Sequence, residues 1–157
     1  MIERAVVDAS PLIYLGRTGY LDLLKRSAGT VCVPEAVLRE IHPDESAAAV
    51  HACDWLRAVQ VEAIPRAVSV WNLGSGESAV LAWAATNPGT VAVLDDLDGR
   101  RCAAQLGVRV VGTLGVVLAA KRAGAIPTAR TAVEALVESG LYLTEDVIAR
   151  ALALVGE

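Results

Sequence analysis

The strand-like run Arg4-Ala5-Val6-Val7 stops at Asp8, and Thr90-Val91-Ala92-Val93-Leu94 stops at Asp95-Asp96. Around these runs the chain alternates strand-like and helix-like stretches, the rhythm of a doubly wound parallel α/β sheet. Such a sheet gathers the carboxyl ends of its strands around one crevice, so acids far apart in sequence converge there. Converged carboxylates repel one another and resist burial, and a divalent cation or a shared proton offsets that cost. The pattern therefore points to a divalent-metal site at one edge of the sheet.

At 157 residues, 54% hydrophobic and 20% charged, the chain has the size of one well-cored domain, expected over residues 1–157. No apolar run approaches the roughly 18 residues that span a bilayer. Met1-Ile2-Glu3-Arg4 leads into a strand without a signal-peptide core, so a soluble cytoplasmic protein with no membrane contact is expected. Cys32, Cys53 and Cys102 are odd in number, widely spaced and set among apolar neighbours, which suits buried free thiols rather than disulfides or zinc ligands. His42 and His51 lack metal-ligand spacing and read as structural. A net charge of -4 argues against a broad electrostatic grip on duplex DNA. Any nucleic-acid chemistry has to rely on local arginine or lysine and on a metal.

The expected order begins with a strand at 3–8, with Ser10 as helix cap and Pro11 in the first turn. Helices follow over 12–15 and 20–25, then a strand at 31–33 and a helix from Pro34 whose stripe is Val37, Leu38 and Ile41, with Glu40 off it. Ser46 to Ala58 reads as a helix, and 59–64 alternates like an edge strand. After Gly74-Ser75-Gly76-Glu77 a helix runs over 78–85, the strand at 90–94 is apolar enough for the sheet centre, and a helix spans 99–106. A strand at 108–111 and a helix at 113–123 close the core over 1–127. Residues 128–157 read as a helical appendage, a hairpin around Gly140 with Thr144 capping its second helix.

Each acid also has a plainer use. Asp8 can cap a helix, although Ser10 can do so alone; Glu40 can be a solvated helix residue; Glu77 sits in a first turn, where the helix dipole favours a carboxylate. Asp95-Asp96 directly after a buried strand must be solvated in a cleft or paired, and Asp98 is placed to cap the next helix.

Val6-Val7-Asp8-Ala9-Ser10-Pro11-Leu12-Ile13, Glu40 on its helix, Gly74-Ser75-Gly76-Glu77-Ser78-Ala79 and Leu94-Asp95-Asp96-Leu97-Asp98-Gly99-Arg100-Arg101 together resemble a PIN domain, of the branch related to VapC-type toxin ribonucleases. The likeness continues through Gly107, Gly112-Thr113-Leu114-Gly115 and Ala120-Lys121. The resemblance implies a three-layer α/β fold with a parallel sheet of order 3-2-1-4-5 and metal-dependent ribonuclease activity on RNA. It also implies a site of Asp8, Glu40, Glu77 and Asp96, with Asp95 as a fifth member. VapC-like relatives are commonly homodimers held in check by a small antitoxin protein. Many of them carry Asp in place of Glu77, and Asn or another polar residue in place of Asp95.

The chemistry agrees. Mg²⁺ and Mn²⁺ prefer hard oxygen ligands and keep several waters, which suits a few carboxylates around an open centre. Asp8 and Asp96 are the expected core ligands for in-line phosphodiester hydrolysis by a metal-activated water, with Glu40, Glu77 and Asp95 completing or orienting the site. Ser10 is placed to hydrogen-bond a ligand carboxylate or a bound water; Arg100 and Arg101 can contact phosphate or form salt bridges to the acids. Two other classes fit parts of the sequence. A catalytically silent PIN-like scaffold would bind protein or RNA, and a dinucleotide-binding domain would use Gly74-x-Gly76-x-x-Ala79 with Asp95 on a ribose.

Overall fold

The computed structural model describes residues 2–41 and 43–157, so the reading of His42 falls outside the described residues. The chain forms β1 (Ile2–Val7), α1 (Ala9–Thr18), α2 (Asp22–Ser27), β2 (Ala28–Pro34), α3 (Glu35–Glu40), α4 (Glu45–His51) and β3 (Leu56–Val59). It continues with α5 (Arg66–Ser69), α6 (Ser75–Thr86), β4 (Thr90–Val93), α7 (Leu97–Leu106), β5 (Val110–Val111), α8 (Thr113–Arg122), α9 (Ala129–Glu138) and α10 (Glu145–Ala153). The five strands are all parallel in the order 3-2-1-4-5.

Ala5, Val6 and Val7 of β1 are buried, as the innermost strand of a sheet covered on both faces must be. Val6 pairs with Cys32 on one side and Ala92 on the other, which places β1 at the centre. The sheet-centre expectation for residues 90–94 is corrected by one position: β4 is wholly buried but lies beside the central strand. Helix α6 packs on β1, β2 and β4, and its small residues Gly76, Ser78, Ala79, Ala82 and Ala84 are all buried. With no phenylalanine in the chain, leucine and valine fill the centre; Leu12, Leu15, Leu24, Leu81, Leu94 and Leu136 are fully enclosed.

Several boundaries differ from expectation. One helix covers Ala9–Thr18, and Asp8 rather than Ser10 holds its N-cap position. The helix expected over 46–58 ends at His51, and the edge strand is Leu56–Val59 rather than 59–64. Pairing decides this: Leu56 to Val59 align with Val31 to Pro34, and a ladder along a buried strand outweighs the helical periodicity of an Ala-rich stretch. The short helix α5 was not anticipated. Cys32 and Cys102 are buried free thiols, while Cys53 is half-buried, its Sγ donating to the Ala49 carbonyl at 3.2 Å.

The C-terminal hairpin forms as expected, turning at Gly140, whose φ of +115° suits glycine alone. Thr144 Oγ1 accepts from the Val147 N–H at 3.2 Å, the anticipated cap. Helix α9 packs on α1 and α8, and α10 packs on α8 and α9. Glu157 fastens the end of the chain to the start of α9: its carboxylate accepts from the N–H groups of Ala129 and Arg130 at 2.8 and 2.9 Å, and from Thr128 Oγ1 at 2.8 Å.

Candidate active site

β1 delivers Asp8 to the carboxyl edge of the sheet, where its backbone N–H donates to the Val93 carbonyl of β4 at 2.9 Å. Its side chain caps nothing in α1 and is 9% exposed. Burial pushes its pKa from 3.8 up to about 6; the Ala9 N–H offsets part of the shift, and the nearby charges of Glu40, Asp95 and Asp96 add to it.

Glu40 ends α3, and its Oε1 accepts from the Gly76 N–H in the first turn of α6 at 2.7 Å. A Cβ at Gly76 would stand 2.7 Å from Glu40 Oε2, so the acid reaches this helix end because residue 76 is glycine. Glu77 follows one residue later. Its carboxyl is half-buried, and burial, then the charges of Asp96 and Asp8, a hydrogen bond with Asp96 and the charge of Asp98, push its pKa up to about 8. Only a protonated Glu77 can donate to Asp96, and its Oε1 is buried with no hydrogen-bond partner. A second glycine admits it: a Cβ at Gly99 would lie 2.7 Å from Glu77 Oε1.

Asp95 and Asp96 diverge. Asp95 Oδ1 accepts from the Thr113 N–H at 2.8 Å and Oδ2 from Thr113 Oγ1 at 2.6 Å, anchoring the start of α8. Asp96 is exposed and caps α7, accepting from the Gly99 N–H at 3.1 Å. This corrects the cap assigned to Asp98, which instead pairs with Arg101 at 3.5 Å, both exposed. Arg101 thus pairs with Asp98 and not with any of the five candidate acids. Arg100 lies against Gly112, where a Cβ would also meet Asp95 Oδ1 at 3.0 Å, yet Arg100 forms no ion pair among the described residues. Ser10 is half-buried in the first turn of α1 and hydrogen-bonds none of these acids.

Asp8, Glu40, Glu77, Asp95 and Asp96 thus share one edge of the sheet, close enough for Asp8 and Glu77 each to feel several of the others. Sequence reasoning missed Thr113 and the glycines 76, 99 and 112 as parts of this edge. For two of them a signal was present: Gly76 precedes Glu77 and Gly99 follows Asp98 in the first turn of a helix, whereas Gly112 has no acid beside it in sequence. The oxygen donors suit a hard cation that keeps much of its water and takes one or two carboxylates directly. Asp8 is uncapped and Glu77 Oε1 unpartnered, so both have lone pairs to offer. The side chains do not form a closed cage, since no three His, Cys, Asp or Glu among the described residues are grouped to hold one ion.

The nucleotide fingerprint does not survive this geometry. An irregular stretch and the short α5 separate β3 from Gly74, and Glu40 occupies the amide where a phosphate would sit. No curated protein matches the chain. Residues 4–157 match the family model described as a PIN domain, a nuclease-type fold whose members generally act with divalent metals. With the sheet order, the chain accordingly belongs to the PIN-domain family.

Proposed function

We propose that this protein is a divalent-metal-dependent endoribonuclease of the branch related to VapC-type toxins, the toxin of a toxin-antitoxin pair. One observation carries the reading: the uncapped carboxylate of Asp8 is buried among Glu40, Asp95 and Asp96 on a nuclease-type fold. Burying one carboxylate beside other negative charges costs stability, and a nuclease recovers that cost when a cation binds. Asp8 and Asp96 are the core ligands, and Glu77 brings a further oxygen once it has lost its proton. Glu40 and Asp95, each held by a helix-start N–H, orient the edge. Bound Mg²⁺ or Mn²⁺ would supply an activated water and neutralise charge on the phosphodiester. Arg100 takes a phosphate beside Asp95.

Within this reading residues 1–127 form the core of a single domain and 128–157 its helical appendage. The protein works in the cytoplasm as a homodimer restrained by a small antitoxin protein. The structure has no helix long and apolar enough to cross a membrane among the described residues.

The test is cleavage of mixed single-stranded RNA with Mg²⁺, Mn²⁺ or EDTA. Wild type should cut with either metal and stop in EDTA, and Asp8→Asn should be inactive with both. Equal cleavage in EDTA, or by purified Asp8→Asn, would sink the mechanism. Specific RNA binding without cleavage in any metal would instead favour the silent scaffold.

A further inference from the structure

Five arginines, Arg26, Arg100, Arg109, Arg122 and Arg150, border one groove between β5, α8 and α10, and among the described residues the single acid in its wall is Asp95. The whole chain carries -4. This groove is therefore a local reversal of sign that touches the candidate active site at Asp95 and Arg100. All five guanidinium groups are on exposed residues, and among the described residues only Arg150 is ion-paired, to Asp146 at 3.1 Å. Asp95 is turned to Thr113, whose N–H and Oγ1 donate to its carboxylate, and it forms no ion pair with the arginines among the described residues.

We propose that this groove is the track for single-stranded RNA, holding the sugar-phosphate backbone on one side of the cleavage site. The proposal rests on the nuclease reading above and adds the surface that delivers its substrate. Arginines around one groove supply the positive charge that a sugar-phosphate backbone needs, and they do so in a protein whose net charge would otherwise repel it. The lining is otherwise largely aliphatic, with Leu114, Leu118, Leu141, Val147 and Leu154, and among the described residues no aromatic side chain lines it. Base stacking on aromatic rings is thus absent, and binding is led by phosphate contacts. Two consequences follow. Affinity falls steeply with salt, and bases are poorly discriminated along the track. An acidic amphipathic protein segment is the other occupant such a groove could take, and the experiment separates the two.

The probe is a labelled oligouridylate of about 12 nucleotides, read by fluorescence anisotropy in EDTA so that no cleavage is needed. Arg109→Gln/Arg122→Gln should weaken binding by at least about tenfold and reduce the slope of log affinity against log salt by about 1.4, or 0.7 per lost contact. Arg57→Gln/Arg66→Gln, two exposed arginines outside the groove, should change neither quantity. Oligoadenylate should behave like oligouridylate. Unchanged affinity and slope in the groove pair, or equal losses in the control pair, would overturn the track, the first result leaving the groove to a protein segment. Groove-dependent binding without cleavage in any metal would overturn the hydrolase reading and leave the track standing. Metal-dependent cleavage indifferent to the groove pair would do the reverse.

Discussion

Asp8 and Glu77 hold protons more tightly in the folded chain than in the unfolded one, because burial and like charge disfavour their carboxylates. Stability of the metal-free protein should fall as pH rises from the ordinary values of 3.8 and 4.5 through about 6 for Asp8 and about 8 for Glu77. Below pH 3.8 both groups are neutral in both states and the penalty is gone. Asp8→Asn removes its share: the metal-free variant should be more stable above pH 6 by on the order of 3 kcal/mol, and no more stable near pH 3. Urea melts in EDTA at both ends of that range check it, and an equal effect at both would refute the charge account. A second expectation concerns Gly99. Alanine there crowds Glu77 Oε1 and, at 3.1 Å, Leu94 Cδ1, an overpacking worth about 1 to 3 kcal/mol. Much of that loss should disappear in a Glu77→Ala background, where the carboxyl is gone; a strictly additive double mutant would show that Glu77 is not the obstacle. At this scale Asp8, Glu77, Asp95 and Asp96 were legible because strand ends and a first turn locate them without any knowledge of packing, whereas Glu40, the last residue of α3, was picked out only by the family resemblance. Thr113 was not, because a threonine after a glycine at a helix start looks the same whether its hydroxyl faces water or Asp95.

Elements were legible where one periodicity ruled. β1, β4 and α7 follow apolar runs whose period matches their structure, and the Thr144 cap follows from local chemistry alone. Residues 46–64 were not, because Val50, Cys53, Trp55 and Leu56 continue a helical stripe past the point where pairing with β2 takes over. Caps divide in the same way. Asp96 and Asp98 are both chemically fit to cap α7, and only the geometry selects Asp96. Asn caps as well as Asp, so Asp96→Asn should keep α7 intact, whereas Asp96→Ala should lose about 1 kcal/mol relative to it. Chemical denaturation of the two variants in EDTA tests this, and equal stability would mean that the 3.1 Å contact contributes nothing. Glu157 was invisible as a cap because it lies 28 residues from the Ala129 N–H that it serves. These contacts and Lys121 hold its pKa down to about 2, so the fastening is intact above its ordinary 4.5 and weakens as pH falls toward 2. In Glu157→Gln, hydrogen exchange should quicken at Ala129 and Arg130 before it does in the sheet.

The molecule as a whole separates its charges, with acids at the sheet edge and arginines along the adjoining groove. Composition could report only the sum. In the C-terminal hairpin Val133, Leu136, Leu141 and Leu152 are buried within this chain, leaving Tyr142, Val147 and Leu154 as its most exposed apolar side chains. Light scattering at tens of micromolar should still report a dimer under the proposed reading, and a monomer would remove that part of it. The sharper whole-molecule test is the linkage between metal, proton and fold. Near neutral pH Glu77 is protonated in the metal-free protein, so it can serve as a ligand only by giving up that proton. Metal affinity should consequently rise with pH through about 6, as Asp8 ionises, and on to about 8, as Glu77 does. Thermal melts with Mn²⁺ at several pH values read this directly, since a ligand at a hundredfold excess over its dissociation constant stabilises by about 2.7 kcal/mol. Wild type should gain progressively more from the same Mn²⁺ concentration between pH 5 and pH 8. Glu77→Gln should gain with pH only up to the Asp8 range and then level off. A metal response that ignores pH, or one that Glu77→Gln reproduces up to pH 8, would show that the half-buried carboxyl of Glu77 stands outside the cation site.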